Sequence, residues 1–455
     1  MDRSEQPTVI PPYLLQRVAS AKRLRNAATA AQDTLIRQEP GRRAAIEQSG
    51  QRKAKPAPTE SDTRALTREI ADAGGTDVLP GSRVRSEGEP ESDDQAVNEA
   101  YDGLGHTYSL FDEVFGRSSI DGRGMPLRAT VHYGKDYDNA FWNGTRMVFG
   151  DGDGEVFNRF TVSLSIIGHE LTHGVTELTA ALRYSGQSGA LNESLSDVFG
   201  SLVEQYAKSQ TVDEASWLIG EGLFTDAVNG EALRSLKAPG TAYDDDVLGK
   251  DPQPSTMSGY VESQDDNGGV HINSGIPNHA FYILATSLGG RAWDTAGVIW
   301  YRTLTAGGLT ADASFSEFAA ATVEAARSQF DDEVVAAVQL AWRSVEVNVG
   351  DPDAPPAGAP EAQLIVERSG GVAGISRTWR MNIDAHSDDL GKMLRTLPWR
   401  AAGTMDDRNP DHFQYRIRCT FRASAADDFE VSLAESELTA TWREIIEWVR
   451  TEDHA

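Results

Sequence analysis

Two histidines and a glutamate stand close together in the segment IIGHELTHGV, at His169, Glu170 and His173. On an α-helix, residues four positions apart share one face, so the two imidazoles can converge on a single cation. Imidazole is a common zinc ligand, and a glutamate beside the metal can serve as a general base. The spacing favours a zinc site, although two ordinary histidines on a half-exposed helix would also suit the apolar flanks.

A second helical segment, GALNESLSDVFG, places Glu193 and Asp197 one turn apart on the same face. A catalytic zinc keeps three protein ligands and one open position, which makes Glu193 the candidate third ligand. Asp197 can accept the outer N–H of a ligand histidine and fix its orientation. Burying two carboxylates among apolar neighbours is costly without a partner. The metal site is therefore favoured over a solvated helix face with Asn192 at its cap.

A third motif, DDNGGVHINSGIPNHAFY, contains Asp266 and His271. Two glycines before the histidine permit close approach of the backbone, and a helix is predicted from about Ile276. A histidine beside an aspartate can be protonated and donate to a developing oxyanion. Without further context, the residues favour a plainer interpretation, a turn with a hydrogen-bonded core histidine.

Composition limits the kind of chain that carries these motifs. The protein has 455 residues, 39% of them hydrophobic and 24% charged, which indicates a globular chain of roughly two to four domains. Its net charge of −27 argues against nucleic acid as a partner. The single cysteine excludes an internal disulfide. The sequence has no apolar run long enough for a membrane span and no signal-peptide pattern, so we expect a cytoplasmic protein or one exported without a recognisable signal.

Changes in composition divide the chain into five segments. Residues 1–56 form an arm with 11 Lys+Arg against 5 Asp+Glu, and its contrast with the acidic body suggests docking in cis, although a solvated tail fits equally well. A helix is predicted within the arm from about Gln16 to Ile36. Residues 57–161 read as a β-rich lobe, 162–349 as a helical lobe, 350–361 as a Pro/Ala/Gly linker, and 362–455 as a small α+β module.

Four motifs in chain order resemble the thermolysin-like zinc metallopeptidase family: NAFWNGTRMVFGDGDG, GHELTHGVTE, GALNESLSDVFG and DNGGVHINSGIPNHAFY. The resemblance runs from about Gly81 to Val349. It implies an α+β protein with a β-rich N-terminal lobe, a helical C-terminal lobe and the zinc helix between them. The short arm with PPYLL is similar to the propeptide of the protealysin branch. The final module is similar to emfourin, a protein inhibitor of such peptidases.

The resemblance implies a role for each matching residue in the zinc site. His169, His173 and Glu193 would bind one zinc ion per chain. Glu170 would be the general base that activates a zinc-bound water, and Asp197 would orient His169. These residues are the same ones that the spacing singles out.

The resemblance also implies residues that bind the reacting peptide. His271, held by Asp266, and Tyr184 would donate hydrogen bonds to the oxyanion. Substrate would be bound along an edge strand, at the carbonyl beyond the cut and in an apolar pocket for the residue after the cut, by Asn139, Ala140, Arg234, Phe157, Ile166, Ile219, Leu223 and Leu233.

The activity so implied is that of a neutral endopeptidase cutting on the N-terminal side of large hydrophobic residues. We expect a monomer that acts on proteins or peptides and is made as a latent precursor, its arm and C-terminal module docking in cis, with the arm cut near residues 50–60. The alternative is a self-inhibited or catalytically silent scaffold whose C-terminal module binds or inhibits peptidases.

The same resemblance makes calcium binding doubtful. Many family members hold two calcium ions with a cluster of acids, which calcium needs because it takes six to eight oxygen ligands. Here Ser165, Ser216 and Leu218 stand where acids are usual, and only Glu204 and Glu221 remain.

Overall fold

The computed structural model describes residues 7–38 and 65–349, and in the C-terminal part residues 362–370, 377–383, 413–421, 429–435 and 438–452. Contacts within the chain divide it into two units, Met1–Gly350 and Asp351–Ala455. The predicted linker at 350–361 and the predicted cut near residues 50–60 fall outside the described residues.

The arm forms two helices, α1 (Pro12–Ala19) and α2 (Arg25–Gln38). Pro12 begins α1, where its missing N–H would have no helical partner in any case. The prediction of one helix over about residues 16–36 was wrong, because the chain turns after Ser20 and both helices bury an apolar face in the main core. Their buried hydrophobic residues are Leu14, Leu15, Val18, Ala27, Ala30 and Ala31.

A five-stranded sheet forms the N-terminal lobe. Its strands are β1 (Arg68–Asp72), β2 (Ser82–Ser86), β3 (Leu127–Val131), β4 (Ala140–Trp142) and β5 (Met147–Phe149), in the order β2-β1-β3-β5-β4. The inner pairs β1–β3 and β3–β5 are parallel, whereas β1–β2 and β4–β5 are antiparallel. Strand β4 lies at the edge of this sheet, so its free side can bind an extended chain.

The N-terminal lobe also contains a helix that the sequence analysis read as part of a β-rich segment. This helix, α3 (Gln95–Ser109), is capped by Asp94, whose carboxylate accepts from the backbone N–H groups of Ala96 and Val97. Its glycines resemble turn residues in the sequence, but Gly103 instead allows this helix to pack closely against a neighbouring helix. A Cβ at Gly103 would collide with Ile167 on the zinc-motif helix.

Helices dominate the rest of the first unit. They are α4 (Leu164–Glu177), α5 (Gly186–Ala207), α6 (Asp266–Asn273), α7 (Gly275–Leu288), α8 (Ala296–Thr305), α9 (Phe315–Arg327) and α10 (Asp332–Ser344). Two small antiparallel pairs lie between α5 and α6, namely β6 (Leu218–Ile219) with β7 (Arg234–Ser235), and β8 (Asp244–Asp245) with β9 (Gly249–Lys250).

The two motif helices α4 and α5 cross where each carries a glycine. A Cβ added to Gly168 would lie 3.0 Å from the Cα of Gly200, and one added to Gly200 would collide with the carbonyl oxygen of Ser165. Because neither position has a side chain, the two backbones approach closely. This crossing brings the polar residues of both helices into one buried layer.

The C-terminal unit is an α+β module, as predicted. Its strands β10 (Ala362–Gly370), β11 (Arg377–Ile383), β12 (Phe413–Phe421) and β13 (Phe429–Ala434) form an antiparallel sheet in the order β11-β10-β12-β13. One helix, α11 (Ala440–Glu452), packs on this sheet. The core between them consists of Leu364, Val366, Trp379, Tyr415, Ile417, Val431, Leu433, Trp442, Ile445, Ile446 and Val449.

Candidate metal centre and substrate cleft

Two imidazoles and a carboxylate meet where α4 and α5 cross. The Nε2 atoms of His169 and His173 lie 3.1 Å apart. Glu193 on α5 reaches both, with Oε2 3.6 Å from Nε2 of His169 and Oε1 3.4 Å from Nε2 of His173. All three residues are buried. The structure thus brings together the three residues that were predicted to bind zinc.

The hydrogen bonds around this cluster indicate that a cation belongs in it. Nδ1 of His169 lies 2.8 Å from Oδ1 of Asp197, and Nδ1 of His173 lies 2.8 Å from Oδ1 of Asn192. Both partners are acceptors, so the outer nitrogens carry the protons and the two Nε2 lone pairs face each other. Within the described residues, Oε2 of Glu193 has no hydrogen-bond partner. Two imidazole lone pairs and a buried carboxylate oxygen form a donor set that fits zinc.

Electrostatics keep these groups in their metal-binding forms. Burial lowers the pKa of His173 to about 4 against the opposing field of Glu193, so its ring is neutral near pH 7. Burial alone would raise the pKa of Glu193, but the positive charges of His271 and Arg234 help to outweigh it and lower that pKa below its ordinary value. A neutral imidazole and an ionised carboxylate are the ligand forms that a metal requires.

Asp197 connects the metal cluster to the substrate cleft. Besides Nδ1 of His169, its carboxylate accepts two hydrogen bonds from Arg234, from Nε and Nη2 at 2.8 Å each. The side-chain amide of Asn278 donates a further bond to Oδ2 at 2.8 Å. Burial opposes the charge of Asp197, but Arg234 outweighs it and lowers the pKa of this carboxyl. One carboxylate therefore fixes a histidine of the cluster and an arginine of the cleft.

His271 lies in the short segment α6, and the helix predicted to begin near Ile276 follows it as α7, which begins at Gly275. The first turn of α6 has positive φ angles at Asp266 and Asn267 and at the two glycines that follow. This turn folds Asp266 back, so that its Oδ1 lies 2.6 Å from Nδ1 of His271 and its Oδ2 accepts the backbone N–H of His271 at 3.0 Å. Burial lowers the pKa of His271, but Asp266 and Glu193 outweigh it and raise the pKa to about 9.

Tyr184 lies between His271 and the metal cluster. Its hydroxyl donates to Oε1 of Glu193 and stands 3.3 Å from Nε2 of His271. Burial and the charge of Glu193 raise the pKa of Tyr184 well above its ordinary value, so the phenol stays protonated. In this state its proton is directed at Glu193.

Glu170 lies beside His169 on α4 and faces the edge strand. Its Oε2 accepts the backbone N–H of Trp142 at 3.0 Å. The ligand-type atoms of Glu170, His169 and His173 all lie within 4.8 Å of one another. The carboxylate is thus held between the cluster and strand β4.

The arm runs through the cleft and is bonded to four of the predicted site residues. Nε2 of His271 lies 3.0 Å from the carbonyl oxygen of Thr8. The backbone N–H of Val9 donates to the carbonyl of Ala140 at 3.3 Å, and Nη1 of Arg234 donates to the carbonyl of Val9 at 3.2 Å. The side chain of Asn139 accepts from the N–H of Ile10 at 2.9 Å and donates to its carbonyl at 3.0 Å.

The five residues predicted to form an apolar pocket are all buried in the core that also contains Val9. Gly220 follows β6 and lies close to two of these residues. A Cβ added at Gly220 would lie 3.1 Å from Leu233 and 3.5 Å from Ile166. The five residues are Phe157, Ile166, Ile219, Leu223 and Leu233.

Two of the positions considered for calcium, Ser165 and Glu204, have other partners in the structure. Oγ of Ser165 accepts the N–H of Gly220 at 3.1 Å and lies 3.0 Å from Oγ of Ser163. Glu204 forms an ion pair with Lys208, one turn along α5. The side chain of Ser165 and the carboxylate of Glu204 are therefore engaged in protein contacts.

Sequence reasoning missed three residues of the site. Asn192 was considered only as a helix cap, and Asn278 and Trp142 were not considered at all. A signal for Asn192 existed, because Asn192 and Ser196 repeat the one-turn spacing of Glu193 and Asp197 on a buried helix. Asn278 and the backbone of Trp142 lack such a signal, because their contacts join segments far apart in the chain.

A buried cluster of two imidazoles and two carboxylates, beside a cleft that binds peptide backbone, is the arrangement expected of a metal-dependent peptidase. Comparison with known families agrees. Residues 61–177 match the catalytic domain of thermolysin metallopeptidases, residues 180–347 match their α-helical domain, and residues 366–450 match emfourin. The chain belongs to the thermolysin family of zinc metallopeptidases, which confirms the predicted fold class and enzyme class.

Similar proteins place it near the protealysin branch. An extracellular metalloprotease of Pectobacterium carotovorum is 50% identical over 343 residues, which cover 75% of this chain and 96% of the relative. Protease PrtS of Photorhabdus is 54% identical over 295 residues, 64% of this chain and 79% of the relative. The solved precursor of protealysin, a metalloproteinase from Serratia proteamaculans, is 51% identical with a TM-score of 0.68, and the match covers 75% of this chain and 99% of that one.

Proposed function

We propose that this protein is a zinc-dependent neutral endopeptidase that cuts peptide bonds before large hydrophobic residues. His169, His173 and Glu193 would hold one zinc ion. Zinc, when bound, supplies a Lewis acid that polarises the scissile carbonyl and lowers the pKa of water towards about 7. The double calcium site of many relatives would be absent, because Ser165 and Glu204 are engaged elsewhere.

The residues of the chain would carry the proton and charge transfers. Glu170 takes a proton from the attacking water and delivers it to the leaving nitrogen, since its carboxylate faces the cleft between the cluster and β4. His271, positively charged near pH 7 and oriented by Asp266, donates to the developing oxyanion. Tyr184 would join it by turning its hydroxyl from Glu193 towards the same oxygen.

The specificity proposed follows from backbone and pocket contacts. Asn139, Ala140 and Arg234 bind backbone groups, which every peptide offers, so they support binding without selecting side chains. Selection falls to the apolar pocket, where each buried CH₂ of the substrate contributes about 0.8 kcal/mol. A leucine, isoleucine or phenylalanine after the cut therefore gains the most binding free energy.

The protein is also proposed to be a latent precursor. The observation that supports both the activity and the latency is that Thr8, Val9 and Ile10 occupy the cleft through backbone hydrogen bonds that a substrate would make. A substrate must displace this segment before it can bind. Removal of the arm would expose the cleft.

Further proposals concern the role of the C-terminal module, the location of the protein and its oligomeric state. The match to emfourin supports a module that restrains its own peptidase or related ones. Among the described helices, none combines the length and apolar character needed to cross a membrane. The Pectobacterium relative is named as extracellular, which supports action outside the cell, and we propose a monomer.

Glu170→Ala provides the test of mechanism. The variant should keep one zinc per chain, because Glu170 is not a proposed ligand, but lose at least about 100-fold in activity on casein, a typical contribution of a general base. Zinc content and casein hydrolysis would be measured on chains without residues 1–38.

Two controls separate the parts of this proposal. Full-length protein should be much less active than the chain without residues 1–38, and deletion of residues 351–455 shows whether the C-terminal module inhibits. A Glu170→Ala variant with unchanged turnover would refute the assigned base. Absence of zinc from the purified wild type would favour the scaffold alternative.

A further inference from the structure

One peptide bond of the arm stands at the metal cluster. The carbonyl oxygen of Thr8 lies 3.0 Å from Nε2 of His271. That same nitrogen is 3.5 Å from Oε2 of Glu193 and 3.3 Å from the hydroxyl of Tyr184. The carbonyl of Thr8 is therefore the arm carbonyl placed where the reacting carbonyl of a substrate belongs. Its peptide bond joins Thr8 to Val9.

The remaining contacts fix the residues that follow this bond. The N–H of Val9 donates to the carbonyl of Ala140 on the edge strand, and the carbonyl of Val9 accepts from Arg234. Ile10 makes two bonds to Asn139. The arm thus enters in one register, with Val9 as the residue after the bond at the cluster.

The side chains suit the same register. Val9 and Ile10 are apolar and both fully buried, as the residues after the cut would be in a bound substrate. An arm that only obstructed the cleft would not need to present a peptide bond to the cluster with the hydrogen bonds of a substrate. Preorganised binding of a reactive bond lowers the barrier to its cleavage.

We propose that the peptidase hydrolyses the Thr8–Val9 bond of its own arm, a step that rests on the proposed function. Water forms the new bond to the carbonyl carbon of Thr8 while the C–N bond to Val9 breaks. Thr8 leaves as a carboxylate on the peptide of residues 1–8, and the nitrogen of Val9 takes a proton to become a free amine. Oxidants and further reactants are not needed.

The shortened arm would stay docked after the cut. Its helix α2 is capped by Glu155 of the body, which accepts from the N–H of Ala27 at 3.1 Å and from Nδ2 of Asn26 at 3.2 Å. The apolar face of α1, formed by Leu14, Leu15 and Val18, lies beyond the cut and is buried. Hydrolysis at Thr8–Val9 therefore trims the arm without releasing it, and later removal of the arm is a separate event.

Intact-mass spectrometry of the purified full-length chain with zinc tests this inference. The expected product lacks residues 1–8 and begins at Val9, and its fraction grows with time at a rate independent of protein concentration. Glu170→Ala should remain untrimmed. Val9→Pro should also remain untrimmed at this bond, because proline removes the N–H that binds Ala140. Thr8→Ser is the matched control and should be trimmed like the wild type.

The outcomes separate this inference from the proposed function. A chain that stays whole, while the form without residues 1–38 hydrolyses casein, overturns the trimming and leaves the peptidase assignment intact. Cleavage of the arm at another bond within residues 7–12 overturns the register. Inactivity of the arm-deleted form together with a whole full-length chain refutes both proposals.

Discussion

Two carboxyl groups meet beneath the arm, away from the metal cluster. Asp138 is fully buried, and the partner of its carboxyl is Asp153. Its carboxyl lies against that of Asp153, whose Oδ1 accepts backbone N–H groups of Glu155 and Val156 at 2.6 Å each. Burial and the neighbouring Asp153 raise the pKa of Asp138 well above its ordinary value. A neutral Asp138 that donates to Asp153 satisfies both groups.

Asp138→Asn should therefore make the protein less sensitive to alkaline pH. Because the pKa of Asp138 is raised in the folded state, its contribution to stability is present below its unfolded pKa and is lost as pH rises through the folded pKa. An amide donates at every pH. We expect the variant to gain about 1–3 kcal/mol in unfolding free energy at pH 8, with the gain vanishing near pH 4.

Thermal and urea unfolding across this pH range would measure the effect. Asp136→Asn removes a charge at an exposed neighbour and should change stability by less than about 0.5 kcal/mol. A loss of stability in Asp138→Asn at all pH values would contradict the shared proton. The pair could not be predicted from sequence, because residues 138 and 153 meet only through the packing of β4 and β5.

At the level of elements, the crossing of α4 and α5 determines the geometry of the metal cluster. Gly200→Ala places a Cβ against the carbonyl of Ser165 and 3.0 Å from the backbone nitrogen of His169, so the helices must move apart. Overpacking of this kind typically costs about 1–3 kcal/mol. We expect both a lower melting temperature and weaker zinc retention after dialysis, because Glu193 would move away from the histidines.

Gly308→Ala is the matched control. No heavy atom lies within 4 Å of a Cβ added at Gly308, so its melting temperature and zinc content should match the wild type. If Gly200→Ala binds one zinc as tightly as the wild type and has the same melting temperature, the glycine contact does not determine the geometry of the metal cluster.

The elements show where sequence reasoning works and where it stops. The metal helices were predictable, because His169 and His173, like Glu193 and Asp197, repeat at the helical period. Helix α3 was not, because Gly103 serves a contact with Ile167 that a single chain segment does not reveal. The bend before His271 depends on positive φ angles at non-glycine residues, and propensity gives no sign of these.

At the scale of the whole molecule, charge contrast predicted an arm that docks on the body, but the side chains that the arm buries are mainly apolar. Arg37 lies 3.3 Å from Asp77, and Arg23 lies 3.9 Å from Asp245 with 57% of its side chain exposed. Partly exposed ion pairs contribute about 0–1 kcal/mol each. A fully buried leucine contributes about 1.5–3 kcal/mol, and α1 alone buries Leu15 and two further aliphatic side chains.

The arm should therefore be released by loss of apolar contact and not by salt. Leu15→Ala leaves a cavity that typically costs about 2–5 kcal/mol, so the full-length variant should hydrolyse a small peptide at least about tenfold faster than the wild type. Raising NaCl to about 1 M shortens the screening length to about 3 Å and should leave the latent protein inactive. Arg23→Ala, the matched control, should change the rate less than about fivefold. Activation by salt or by Arg23→Ala that exceeds activation by Leu15→Ala would show that charge holds the arm in the cleft.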